Sequence, residues 1–206
     1  MIVNFLLKGI VIGFSIAAPV GPIGVLCIRR SLVDGRVVGF FTGLGAATAD
    51  AAYGCIAGFG LTAISAFLVE QRFWLGIIGA AFLCYLGIRT FVAQPPAQTT
   101  DAPAANLFSA YVSTLFLTLT NPMTILSFVA IFAGFGLAAS PDYLTASALV
   151  VGVFFGSALW WLILSTGVGL LRSRLGANWM QRVNRFSGAV ILAFGLYALA
   201  AALLPR

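Results

Sequence analysis

The sequence predicts an all-α integral membrane protein of six spanning helices, a 3+3 inverted repeat with helices one and four broken at proline. Three observations lead there. Of 206 residues, 61% are hydrophobic and 8% charged, with a mean hydropathy of +1.08, whereas soluble domains carry about 25% charged residues. Six apolar runs approach or exceed the roughly 20 residues that cross a bilayer: about Gly9 to Ile28, Val37 to Leu61, Phe73 to Val92, Phe108 to Gly136, Tyr143 to Leu171 and Phe186 to Leu204. Eight of the eleven basic residues lie in alternate connections: Arg29, Arg30 and Arg36 after run one, Arg89 after three, and Arg172, Arg174, Arg182 and Arg185 after five. Lys8, Arg72 and Arg206 lie on the other side. By the positive-inside rule the basic connections are cytoplasmic and both termini are outside. The net charge of +6 is thereby a topology signal, and nucleic acid is disfavoured as a partner.

Run one contains Ala18-Pro19-Val20-Gly21-Pro22 where a spanning helix should be most regular. Proline lacks an N–H and clashes with the carbonyl four residues back, so Pro19 and Pro22 release the carbonyls of Ser15 and Ala18. Irregular backbone at that depth is tolerated only inside protein or beside a watered cavity, and broken helices build midplane sites in secondary transporters. Ser15-Ile16-Ala17-Ala18 also has the small residues of a signal-peptide cleavage site. Only Lys8 precedes it as a basic residue, and Pro19 would obstruct cleavage, so run one is read as a retained helix.

Run two carries Asp50, the single intramembrane acid; Asp34, Glu70, Asp101 and Asp142 fall at run ends or in connections. Inserting an aspartate at mid-membrane costs about 2.5–3.5 kcal/mol, so it needs a partner or a task. Gly39, Gly43, Ala47, Asp50, Gly54 and Gly58 recur at spacings of three and four. That small stripe predicts a face turned into the bundle.

Run three is followed by a Pro-, Ala- and Thr-rich stretch, about 94–106, that reads as a flexible linker. It divides one transmembrane domain, 1–206, into repeats of about 1–93 and 107–206. Three runs per half force opposite orientations, which is the inverted-repeat arrangement. Residues 76–85 and 186–194 resemble each other weakly.

Run four places Thr114, Thr118, Asn121 and Thr124 on one face and breaks at Asn121-Pro122, where Pro122 frees the Thr118 carbonyl. Threonines in membrane helices also bond their own backbone, so packing and solute contact both stay open here. Run five opens with Ser140-Pro141-Asp142, a capping serine, first-turn proline and acid. Trp160-Trp161 lies at mid-depth, where packing is the simpler role and solute stacking the alternative. The stretch from Arg172 to Arg185 before run six reads as a cytoplasmic loop on the lipid surface. Cys27, Cys55 and Cys84 lack metal-ligand spacing and histidine is absent, so neither metal nor cofactor is expected.

The predicted solute site therefore comprises Ser15, Pro19, Gly21, Pro22, Asp50, Thr118, Asn121 and Pro122. Half-helix N-termini offer donors and positive dipole ends to a carboxylate, while freed carbonyls and Asp50 suit an ammonium. A buried carboxyl favours its neutral form and a bound ammonium the ionised one, an antagonism that fits Asp50 as a proton carrier. A neutral, hydrogen-bonded Asp50 is the structural alternative. Metal-cation export is weakened by the want of clustered ligands. A membrane enzyme would need a pair of titratable groups, and an assembly subunit would use the breaks for packing alone.

These residues resemble the lysine exporter and homoserine/threonine resistance (LysE/RhtB) family of bacterial amino-acid exporters. The likeness covers essentially the whole chain and is carried by Gly13-Phe14-Ser15-Ile16-Ala17-Ala18-Pro19-Val20-Gly21-Pro22, Arg29-Arg30-Ser31-Leu32, Gly35-Arg36, Gly43-Leu44-Gly45-Ala46-Ala47-Thr48-Ala49-Asp50 and Leu119-Thr120-Asn121-Pro122. The resemblance implies a six-helix bacterial inner-membrane exporter of amino acids or close derivatives, driven by proton antiport, and leaves a homodimer open. Its partners would be solute, protons and membrane lipids. Many members look like Asn-Pro-Lys at the fourth-helix break, where this chain has Met123.

Overall fold

The computed structural model describes residues 2–19, 21–59, 62–94, 104–134, 143–172 and 176–203. Those residues form α-helices and short connections: α1 (Ile2–Ala17), α2 (Pro22–Val33), α3 (Arg36–Gly58), α4 (Thr62–Glu70), α5 (Arg72–Val92), α6 (Ala104–Leu119), α7 (Pro122–Gly134), α8 (Tyr143–Gly169) and α9 (Ala177–Leu203). Helices α5, α8 and most of α9 are each long and apolar enough to cross a membrane. The α1–α2 pair qualifies as one span bent by 83°. Helix α3 has 23 residues, but its glycines, Thr42, Thr48 and Asp50 lower its hydropathy. Helices α6 and α7, of 16 and 13 residues, are each shorter than the roughly 20 that a span needs.

Several sequence-based boundaries change. The sixth run, expected from Phe186, begins at Ala177, so Arg182 and Arg185 sit on a helix and not in a loop. Its first turns are amphipathic, with Met180 and Asn184 buried and Trp179 exposed, and Met180 packs on Leu32 and Val33. Helix α4 occupies a stretch read as a connection. The linker at about 94–106 is described only at its ends, and Ser140-Pro141-Asp142 lies outside the described residues.

Glycine contacts assemble the bundle. Helix α1 carries Gly9 and Gly13, helix α8 carries Gly152 and Gly156, and each pair is spaced by four. A Cβ on Gly9 would overlap the Leu149 carbonyl oxygen, one on Gly13 that of Val153, and one on Gly156 that of Ile10. The two backbones are therefore in contact, as close small-residue packing in membranes allows. Gly43 lies against the Trp161 ring, which joins α3 to α8, and Gly45 against the Tyr111 carbonyl, which joins α3 to α6. Gly87 and Gly188 do the same between α5 and α9.

A polar layer closes one end around α2. Arg29 Nε donates to Asn184 Oδ1 at 2.7 Å, its Nη1 pairs with Asp34 Oδ2 at 2.7 Å, and Asn184 Nδ2 donates to the Ala93 carbonyl at 3.0 Å. Arg30 ties α2 to α3 and α6 by donating to Thr42 Oγ1, the Ala110 carbonyl, Thr114 Oγ1 and Ser113 Oγ. The Arg30 carbonyl accepts the N–H groups of both Asp34 and Gly35. Gly35 then turns the chain at φ 109°, a conformation that favours glycine.

The α1–α8 contact makes a direct prediction. Gly156→Leu drives a side chain into the α1 backbone and should cost at least 1–3 kcal/mol, by about the usual penalty of overpacking. In a chain of this size that lowers the melting temperature by roughly 2 °C or more. Gly167→Leu on the same helix, where a Cβ meets nothing within 4 Å, should leave it unchanged in detergent thermal unfolding.

Candidate functional site

The break in α1–α2, the break in α6–α7 and Asp50 meet at one cavity of about 110 Å³. Its lining includes Pro19, Gly21, Pro22, Asp50, Thr118 and Asn121, so six of the eight residues expected from sequence come together. Ser15 and Pro122 do not line it. Ser15 is exposed in the last turn of α1, and Pro122 starts α7 with its ring towards Gly76 of α5. Met123 is 67% exposed, so a side chain there points away from the cavity.

The two breaks differ chemically. Helix α2 starts at Pro22 behind Gly21, which supplies no side-chain cap. The first N–H that returns to the helix is that of Val25, bonded to the Gly21 carbonyl at 3.0 Å. The N–H groups of Ile23 and Gly24 fall in the first turn, where an α-helix has no internal acceptor for them, and both residues line the cavity. Helix α7 is capped instead. Asn121 Oδ1 accepts the Met123 N–H at 3.1 Å, and the Asn121 carbonyl accepts that of Thr124 at 3.1 Å. This leaves the Asn121 amide NH₂ as the donor at the second break.

Nor are the carbonyls at that break free. The one released by Pro122, that of Thr118, accepts the Asn121 N–H at 3.2 Å, and Tyr53 Oη donates to the Leu119 carbonyl. The Thr118 hydroxyl donates back to the Thr114 carbonyl at 2.8 Å. With its proton so engaged, the Thr118 oxygen can serve a further partner as an acceptor only.

Asp50 is 3% exposed. Its Oδ2 accepts a hydrogen bond from Ser157 Oγ at 2.7 Å, and Ser157 Oγ accepts one from Trp161 Nε1 at 3.2 Å. Trp161 also lines the cavity, with Ile16, Ala17, Ile23, Gly24, Ala46 and Thr124. Trp160, beside it, packs edge-on against Phe14 at 5.3 Å. Asp50 is the sole ionisable side chain in the lining. Among the described residues no three His, Cys, Asp or Glu side chains cluster as a metal site would require.

Sequence reasoning missed Ser157 and treated Trp161 chiefly as packing. One signal was available: Gly152 and Gly156 repeat the spacing of Gly9 and Gly13, marking a close helix pair, with Ser157 next to it and one turn before Trp161.

Residues 14–202 match the family model described as LysE type translocator. The chain is 28% identical over 200 residues to "Putative amino acid efflux protein YcgF" of Bacillus subtilis (strain 168), with 94% of each chain covered. It is 32% identical over 173 residues to "Uncharacterized membrane protein YahN" of Escherichia coli (strain K12), covering 82% of this chain and 77% of that one. A third relative, "Uncharacterized membrane protein PA4757" of Pseudomonas aeruginosa, is 27% identical over 203 residues, with 89% and 88% covered. No solved structure matches. With the model matching nearly its full length, this multi-pass membrane protein belongs to the LysE type translocator family.

Proposed function

We propose that the protein exports a small zwitterionic amino acid, or a close derivative, across the bacterial inner membrane by proton antiport with alternating access. One observation carries this reading: a single cavity joins both helix breaks to Asp50, the one buried acid among the described residues. The solute carboxylate would lie on the first-turn N–H groups of Ile23 and Gly24, favoured by the positive end of α2. Its ammonium would lie on Asp50 and the Thr118 oxygen, with the Asn121 amide as a further donor. A space of about 110 Å³ walled by Ala17, Ala46 and Trp161 suits a short side chain. Hard cations take about six to eight oxygen ligands, which one carboxylate and a hydroxyl do not supply. The Bacillus subtilis relative, named as an amino acid efflux protein, supports efflux of the same solute class.

The helix pairing supports the inverted repeat. If α1–α2, α3 and α5 correspond to α6–α7, α8 and α9, the α1–α8 contact maps onto α6–α3. The α3–α8 and α5–α9 contacts map onto themselves, and all four are extensive. On this reading the polar layer of Arg29, Arg30 and Asn184 is the cytoplasmic end, and both termini are outside.

Reconstituted vesicles test the reading. Under an imposed pH gradient, a panel of amino acids should reveal at least one whose flux requires the gradient and falls more than about a hundred-fold in Asp50→Asn, the loss of a hydrogen-bonded charge contact. Flux of no amino acid, or flux unaltered in Asp50→Asn, would refute it. Asn121→Ser keeps an oxygen that can cap α7 but removes the amide donors. It should retain wild-type thermal stability while raising the solute KM about ten-fold.

A further inference from the structure

Asp50, Ser157 and Trp161 form a hydrogen-bond chain that runs from the indole through the serine to the carboxyl. Indole nitrogen is a donor only, so Trp161 Nε1–H must donate to Ser157 Oγ, at 3.2 Å. The serine has a single proton, which is then directed at Asp50 Oδ2, at 2.7 Å. Ser157 is fully buried and Trp161 is 4% exposed, so bulk water does not compete for these bonds. Both residues stand one helical turn apart on α8, and the Trp161 ring is fixed against Gly43 of α3.

We propose that Ser157 and Trp161 are positioning residues that keep Oδ2 of Asp50 an acceptor throughout the cycle, so that proton and solute ammonium compete for the other oxygen, Oδ1. This rests on the antiport reading above. While the serine proton is directed at Oδ2, a proton on that oxygen would face it, so in this arrangement the carboxyl gains and loses its proton at Oδ1. Solute arrival expels that proton to water, and proton arrival expels the solute. Occupancy of one oxygen by one cation at a time makes the exchange one for one.

Tyr53, which lies within reach of the Asp50 charge, and several other ionisable groups on the surrounding helices bond elsewhere. Tyr53 on α3 donates to the Leu119 carbonyl, and Cys27 on α2 points its Sγ at the Gly39 carbonyl, 3.4 Å away. Tyr111 on α6 donates to Thr48, and Arg30 on α2 is bound to neutral oxygens of α3 and α6. Lys8 on α1 and Tyr143 on α8 are exposed.

A double-mutant cycle in vesicles tests this, using an amino acid that the wild type exchanges. Ser157→Ala removes the donor to the carboxylate that receives the ammonium, and should raise KM about ten-fold with kcat within about two-fold. Trp161→Phe keeps a ring but loses the N–H, and should raise KM about three-fold. Because the tryptophan acts through the serine, the double variant should match Ser157→Ala alone. Multiplicative effects, or KM unchanged in Ser157→Ala, would overturn the proposal. Ser157→Cys, of similar size and a weaker donor, replaces Ser157→Ala if that variant does not fold. Asp50→Asn, run alongside, separates the two failures: transport insensitive to Asp50 defeats the antiport reading, whereas transport that needs Asp50 but not Ser157 defeats this inference alone.

Discussion

A helix broken inside hydrocarbon leaves backbone groups that no water can reach, and the polar contacts of this bundle are organised around that shortage. At the α6–α7 break the chain supplies its own partners: Asn121 caps α7, its N–H takes the Thr118 carbonyl, and Tyr53 reaches from α3 to the Leu119 carbonyl. At the α1–α2 break no side chain caps α2. Ile23 and Gly24 of its first turn line a cavity that also holds the buried carboxyl of Asp50. Among the described residues no buried side-chain nitrogen or oxygen lacks a hydrogen-bond partner. Asp50, Thr118, Asn121 and the first turn of α2 are gathered at one cavity.

Close glycine packing makes that concentration geometrically feasible. Backbone contact between α1 and α8 carries the end of α1, and so the first break, to the helix that bears Ser157 and Trp161. Gly43, by admitting the Trp161 ring, lets α3 approach α8 until Asp50 and Ser157 meet at 2.7 Å. The aspartate is thus held by two helices that glycine allows together, and its burial is offset in part by the hydrogen bond from Ser157.

Much of this was legible in the chain itself. Pro19, Pro22 and Asn121-Pro122 identified the breaks because proline acts locally, through its own missing N–H and ring. Asp50 was legible because a lone acid in an apolar run is costly wherever the helix packs. Ser157 was not, since a serine in a membrane helix is cheap to place and its partner is set by how α3 meets α8. The start of α9 was misplaced because its first turns are polar: hydropathy registers hydrocarbon, whereas a helix with Met180 and Asn184 on a buried face extends beyond it. Ser15 was expected at the site on the strength of its freed carbonyl, but its side chain lies on an exposed face of α1.

The central claim is that one carboxyl exchanges a proton for a solute. Proton release on solute binding measures this most directly, using purified protein in weakly buffered detergent solution. The account predicts release of about one proton per bound amino acid from the wild type and none from Asp50→Asn, as a cation displaces a proton from a single site. Binding to the wild type without proton release, or the same release from Asp50→Asn, would contradict it.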